Sequence, residues 1–426
     1  MTSQTTQESL DIAVIGAGAV GIATALSLVE RGARVDIFDR DPPAAGASYG
    51  NAGVIAPGGV VPQSLPGLWP SVPRWLLDPE GPLTVRPSHW LRFLPWALRF
   101  LAAGSIRRLP AISDAMRALS GPGADLYRQN LSGTGAEHLI VDSCYIHAFK
   151  DPAKIDLDGI GWRLRRERGV VLHQVDATEL HRLEPALSPA YKAAVVMEGQ
   201  ARALDPGSVG RAVAAKAEAL GARFHRRSVS GVHPGPDGGW RITSTDAEGQ
   251  DGTEHDARIV VLAAGAWSAG FLEPLGIRIP LQGERGYHVM LAEPGITLNN
   301  SIMDTDGKFV SSSMADGIRC AGTAEFATLD SPPDWRRAEV LVRQAKRLFP
   351  EIDVSRMSRW MGTRPSFPDS LPMIGPVPGY EGLIAAFGHA HYGFNMAPAT
   401  GRLVAGLITG ATPNTDLAPY AVDRFA

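Results

Sequence analysis

The chain has 426 residues, 44% of them hydrophobic, enough to bury a large core and to divide into two domains. Its 41 basic and 44 acidic residues leave a formal net charge of −3, which argues against nucleic acid as the main partner, because phosphate binding wants clustered excess positive charge. With only Cys144 and Cys320, far apart, a disulfide framework and a thiolate zinc site are excluded, and a reducing compartment fits.

The opening MTSQTTQES is polar and lacks the basic start and apolar core of a secretory signal. No run of ~18 apolar residues follows that would span a bilayer, so the expected location is the cytoplasm. Asp11 to Arg40 then read as one unit. Ile12 to Ile15 suit a fully buried parallel strand, and Gly16, Gly18 and Gly21 follow in G-x-G-x-x-G spacing. Ile22, Ala25, Leu26 and Val29 recur at helical period, Gly32 closes the helix, and a second strand ends on Asp39. The first glycine permits a tight turn, the second lets backbone approach a pyrophosphate, and the third lets helix and strand pack closely. The helix start offers free N–H groups to phosphate, and an acid roughly 20 residues on suits a ribose diol. Such a unit binds an adenine dinucleotide.

A loop of small residues, Ala47 to Gly53, continues to Gly59, and Pro62 to Gly81 should be irregular. His89 to Leu101 is an apolar helix kinked near Pro95. It reads as core packing, the alternative being a patch, residues 89–108, lying on a membrane surface with Arg92, Arg99, Arg107 and Arg108 towards lipid. Ser113 to Asn130 is predicted helical, Leu139 to Lys150 strand, and Asp156 to Arg168 helix, whose arginines form a solvated face. Val209 to Leu220 is a helix after Asp205-Pro206. Phe224 to Val232, Trp240 to Thr245 and Arg258 to Leu262 are strands, the last running into small residues as at the carboxyl edge of a parallel sheet. Ile279 to Thr323 read as short strands and turns, Trp335 to Phe349 as an amphipathic helix, Leu383 to Phe387 as a strand, and about Ala397 to Ile408 as the last helix. No second complete glycine fingerprint occurs, so one dinucleotide is expected, and spacing alone does not choose FAD over NAD.

Four segments together decide it: GAGAVG, ALDPGSVGRAV, VVLAAGAWS, and GTRPSFPDSLPMIGP followed by GHAHYGFNMAPATGRLVAGLITG. Over nearly its whole length the chain resembles the FAD-dependent D-amino-acid oxidase and dehydrogenase family, which includes glycine and sarcosine oxidases. ASYGNAGVIAPG and ELHRLEP narrow the resemblance towards the bacterial D-amino-acid dehydrogenase branch. The resemblance implies an α/β fold: a Rossmann-like FAD-binding domain (1–60, 200–275 and 360–426) interleaved with an α+β substrate domain on an antiparallel sheet (61–199 and 276–359).

It further implies that Gly16, Gly18, Ala19, Val20 and Gly21 cradle the pyrophosphate, with Asp39 and Arg40 at the adenosine ribose. Ser48, Asn51, Ala52 and Gly53 line the flavin side, and Val229 meets adenine by its main chain. Gly265 and Trp267 lie near the pyrophosphate, and Gly393, Phe394, Asn395 and Met396 close over the isoalloxazine. Arg364 matches the arginine that grips the substrate carboxylate, where a guanidinium presents two parallel donors. Tyr287 is on the strand that covers substrate in relatives, and His391 and Tyr392 reach the same pocket. No third ligand supports a metal at His389 and His391. Sarcosine-oxidase relatives tether FAD through a cysteine near the segment that here reads Met361 to Arg364; none is present, so noncovalent FAD is expected. The implied reaction is oxidative deamination of a small amino acid, D favoured, by hydride transfer from Cα to flavin N5. An N-substituted amino acid is the rival substrate, and a flavoprotein subunit that acts only with a partner chain is a further alternative. Oxygen or a quinone is the expected acceptor, with peripheral contact to the inner membrane if it is quinone; the oligomeric state is left open.

Overall fold

The computed structural model describes residues 11–67, 72–246 and 248–426; the polar segment Met1–Ser9 and part of the proline-rich stretch lie outside them. Strand Asp11–Ile15 sits inside a six-stranded sheet. The order is Met373–Val377, Tyr380–Phe387, Ile259–Leu262, Asp11–Ile15, Arg34–Asp39, Arg223–Arg226, all parallel except the first, which is antiparallel to its neighbour. Alternation sends Ile12 and Val14 into a core under helices Ala19–Val29, Pro206–Ala219 and Gly393–Ile408. Ala13 and Ile15 go instead into a core shared with Trp240 and Ile242 of a small three-stranded sheet. Both faces are covered, which is why Ile12 to Ile15 are all apolar and buried.

A second, larger sheet faces this layer. Its path runs Met357–Ser366, Gln282–Leu291, Gly317–Phe326, Phe309–Met314, Ser301–Asp304, Ile140–Phe149, Ala193–Ala203, Val54–Ile55. It is mostly antiparallel, with parallel pairings between Ser301–Asp304 and Ile140–Phe149 and between Leu83–Val85 and Gly317–Phe326. Helix Arg336–Leu348 covers one face through Ala338, Leu341, Ala345 and Leu348. The fold is thus the α/β architecture expected, a Rossmann-like parallel layer interleaved with a largely antiparallel one. Strand Met357–Ser366 belongs wholly to the large sheet, so the expected boundary at residue 360 falls inside a strand.

Several element readings need correction. The helix read from Ser113 to Asn130 is two, Leu109–Ser120 and Gly123–Leu131, parted by Gly121-Pro122. The strand read from Phe224 to Val232 is also two, Arg223–Arg226 in the parallel sheet and Ser228–Pro234 in the small one. Ile279 to Thr323 holds long strands, not only short ones, because Gln282–Leu291 is buried on both faces and shows no clean alternation. The last helix begins at Gly393, not near Ala397. Pro398 deprives the Phe394 carbonyl of its helical N–H donor, and the buried Tyr127 hydroxyl replaces it at 2.7 Å.

Candidate active site

One cavity of about 1780 Å³ runs between the two layers, from the glycine turn to the face of the large sheet. Gly16, Gly18, Ala19 and Val20 line its first part. Ala19 N–H donates to Ser48 Oγ at 2.8 Å, while the N–H groups of Gly18 and Val20 take no acceptor from the described residues. Gly21 is not in the wall; a Cβ there would lie 1.9 Å from the Gly16 carbonyl oxygen, so its role is helix–strand packing. Asp39 accepts from Ala17 N–H at 2.6 Å and Asp41 N–H at 3.0 Å, and burial raises its carboxyl above the usual range against those bonds. The Arg40 guanidinium stacks 4.5 Å above the Trp267 ring, and Val229 and Gly265 join the same wall. Free amides at a helix start, an acid at the next strand end and a flat cationic cap fit a diphosphate, a ribose and an adenine.

Ser48, Asn51 and Ala52 also face the cavity. The loop is pinned from the large sheet: the buried Arg319 donates from Nη1 to the Tyr49 and Asn51 carbonyls, both at 2.7 Å, and His288 Nδ1 donates to the Gly50 carbonyl at 3.1 Å. Gly53 is a turn residue outside the wall, with φ +76° and no room for a Cβ against the Ala203 carbonyl. Gly393, Phe394 and Asn395 reach the cavity at the start of the last helix, and Asn395 Nδ2 donates to the Ala56 carbonyl at 2.9 Å. Met396 does not reach it: the first helical turn directs its side chain into the core under the sheet.

On the large sheet, Glu284 and Arg364 are directly opposed across neighbouring strands and share the cavity face. Arg364 Nη1 donates to Glu284 Oε1 at 2.8 Å and to the Thr323 carbonyl at 3.3 Å, while Nη2 and Nε take no acceptor among the described residues. His391 Nε2 lies 2.6 Å from the same Glu284 oxygen, and Ser366 Oγ donates to the other at 3.0 Å. Burial alone would raise the Glu284 carboxyl; His391 and Arg364 outweigh it and hold it at about 2, so it stays ionised. Tyr392 borders the cavity with its hydroxyl donated to the Val61 carbonyl at 2.9 Å.

Tyr287 is the correction here. Tyr287 borders the cavity, but strand alternation turns its ring to the opposite face of the sheet from Glu284, into the core beneath helix Arg336–Leu348. Its hydroxyl donates to Glu325 Oε2 at 2.5 Å and accepts from Asp334 N–H at 2.8 Å, so it is a structural tyrosine. Glu284, one residue before Arg285-Gly286-Tyr287, is the site residue that sequence reasoning missed; its strand is buried on both faces, so no alternation in the sequence marked it.

The glycine turn, the acid at the second strand and the cavity beside a parallel sheet define a dinucleotide-dependent oxidoreductase. A family model described as "FAD dependent oxidoreductase" (DAO) matches residues 11–407, and the chain belongs to that family. It is an FAD-dependent enzyme. Among curated proteins it is 38% identical over 425 residues to a D-amino-acid oxidase of Bradyrhizobium diazoefficiens, covering 98% of this chain and 99% of the relative. It is 30% identical to a D-amino acid dehydrogenase of Rhizobium johnstonii, covering 98% of this chain and 100% of the relative. The fold is shared with glycine oxidase from Geobacillus kaustophilus, at TM-score 0.72, 23% identity, and 97% and 98% of the two chains. It is also shared with L-proline dehydrogenase from P. horikoshii, at TM-score 0.74, 20% identity, and 98% of each chain.

Proposed function

We propose that the enzyme oxidises a D-amino acid at Cα, giving an imino acid that water hydrolyses to a 2-oxo acid and ammonia. The observation that carries this reading is the Arg364 guanidinium in the cavity wall, anchored at one nitrogen by a buried carboxylate, its other nitrogens taking no acceptor among the described residues. A guanidinium so held presents parallel donors to an α-carboxylate and fixes its orientation. The D-amino-acid names of relatives at 38% and 30% identity support the choice of enantiomer.

Bound FAD supplies the acceptor for the hydride from Cα; Gly18, Val20, Asp39 and the start of the last helix are the residues that would hold it. Neither cysteine is in the cavity wall, which supports a noncovalent cofactor. Arg364 binds the substrate carboxylate. Glu284 keeps Arg364 in place and fixes the His391 ring beside it. The amine enters neutral, so no protein base has to remove its proton before Cα is oxidised.

The wall formed by helix Trp90–Ala103 supports a membrane quinone as the final acceptor. Phe93 and Trp96 pack inward on Phe326, while Leu91 is 89% exposed and Leu94 and Leu98 share that outer face. Leu94 also lines the cavity mouth, so the opening and the apolar face coincide.

Anaerobic mixing with D-, L- and N-alkyl amino acids tests the reading. D-amino acids are expected to bleach the flavin fastest, and Arg364→Lys to lower kcat/KM by roughly tenfold or more while flavin is retained. Arg364→Lys keeps a cation against Glu284, so loss of the second parallel donor is what is measured. Bleaching by L- or N-alkyl substrates alone, or unchanged kcat/KM in the variant, would reject it.

A further inference from the structure

Beyond Tyr392 the cavity wall carries a second polar group that the reaction above does not use. Tyr145 and His147 project from one face of strand Ile140–Phe149, with rings in edge contact at 4.8 Å. His147 meets Trp162 at 5.0 Å, and the Arg165 guanidinium lies 4.8 Å above that same indole. Cross-strand register sets Met197 beside Tyr145, and Met303 beside both His147 and Val310, which gives the cavity an apolar floor here.

Arg165 is a half-buried cation, its Nε fully enclosed, with no counter-ion among the described residues. Its contacts are the Gly161 carbonyl of its own helix at 3.3 Å and the Trp162 ring, and among the described residues no carboxylate pairs with it. Its Nε is buried with no acceptor, while its Nη2, His147 Nδ1 and the Tyr145 hydroxyl take no partner from the described residues. Lys308 is also in the wall, but Asp304 and Asp306 lie beside it. Burial lowers the Arg165 guanidinium from its usual range and holds His147 well below its own, so His147 is neutral. Desolvating a cation without an anion is costly, and a cavity that does so on an apolar floor is suited to a ligand that brings the anion.

We propose that Arg165, with Tyr145 and His147, receives a second carboxylate carried on the substrate's side chain, so that the enzyme prefers dicarboxylic amino acids. This rests on the reading that Arg364 takes the α-carboxylate. The methionine and valine floor accommodates the aliphatic stem, and the guanidinium and two neutral donors take the distal acid. A site built from such donors rejects analogues that leave them unmatched.

The test compares D-glutamate and D-aspartate with D-glutamine and D-asparagine in anaerobic flavin reduction by the holoenzyme. The acidic member of each pair is expected to win in kcat/KM by roughly tenfold or more, and Arg165→Met to erase that ratio. Inhibition of the wild-type enzyme by glutarate against butyrate gives the same comparison without a variant, with glutarate the tighter. If D-glutamine or D-alanine reduces the flavin but the acids are no better, or if Arg165→Met keeps the ratio, the subsite is refuted and the amino-acid reading stands. If no amino acid reduces the flavin, that reading falls and the subsite with it.

Discussion

At Gly286 a single hydrogen makes room for the Arg364 guanidinium: a Cβ there would lie 2.1 Å from Nη2. The obstacle is the mobile end of a long side chain, so a methyl group would displace the arginine and leave the strand intact. Gly286→Ala is therefore expected to raise KM and lower kcat/KM by roughly 10- to 100-fold, with the unfolding midpoint almost unmoved. Steady-state kinetics beside a thermal melt check this; an unchanged KM would mean that Arg364 does not grip substrate. The arginine could be picked out of the sequence because its neighbours form a contiguous motif. Its carboxylate partner could not, because Glu284 is 80 positions away and only strand register joins them. Nor could the fate of Tyr287, since a strand buried on both faces hides which side is which.

Contiguous elements were legible for the same reason: strand, glycine turn, helix, strand and acid are read from neighbours, and the structure assembles them as read. The sequence reading starts the last helix only near Ala397; that Tyr127 would repair the backbone at Phe394, ahead of Pro398, lay beyond local pattern. Helix Trp90–Ala103 shows both of its readings at once, an aromatic inner face and an apolar outer one. Leu77, 83% exposed, and Ile106 are further exposed apolar residues in the neighbouring segments, and Arg92, Arg99, Arg107 and Arg108 are exposed as well. Such a surface suits the headgroup boundary of an anionic bilayer. Among the described residues no helix is long and apolar enough to cross a membrane, so the contact would be peripheral. Sedimentation with anionic vesicles is expected to carry the protein down at low salt. A triple Leu91→Ser, Leu94→Ser, Leu98→Ser variant should stay in the supernatant, and equal sedimentation of both proteins would remove the membrane proposal.

For the whole molecule, acid is the condition that tests the core. His288 and His389 are both buried, and burial lowers each to about 3. Between that value and the ordinary 6.5 the unfolded chain binds protons that the folded chain does not. The stabilisation is complete above pH 6.5 and is lost as pH falls towards 3, by about 1.4 kcal/mol per unit for each histidine at most. Glu284, held at about 2, adds a loss in the same direction below its ordinary 4.5. Urea unfolding across this range should show His389→Gln with a shallower slope than wild type, and identical slopes would mean that His389 is not buried neutral.

The order in which the chain leaves the ribosome gives the interleaving a further consequence. Strand Ile259–Leu262 pairs on one side with Asp11–Ile15, but its other neighbour is Tyr380–Phe387, and helix Ala19–Val29 packs on Gly393–Ile408. Until those closing residues emerge, the nascent polypeptide carries an unpaired sheet edge and a bare apolar helix flank. Translation that stalls a few dozen codons early would release a species primed to aggregate, and the pocket for the flavin would be the last thing to close.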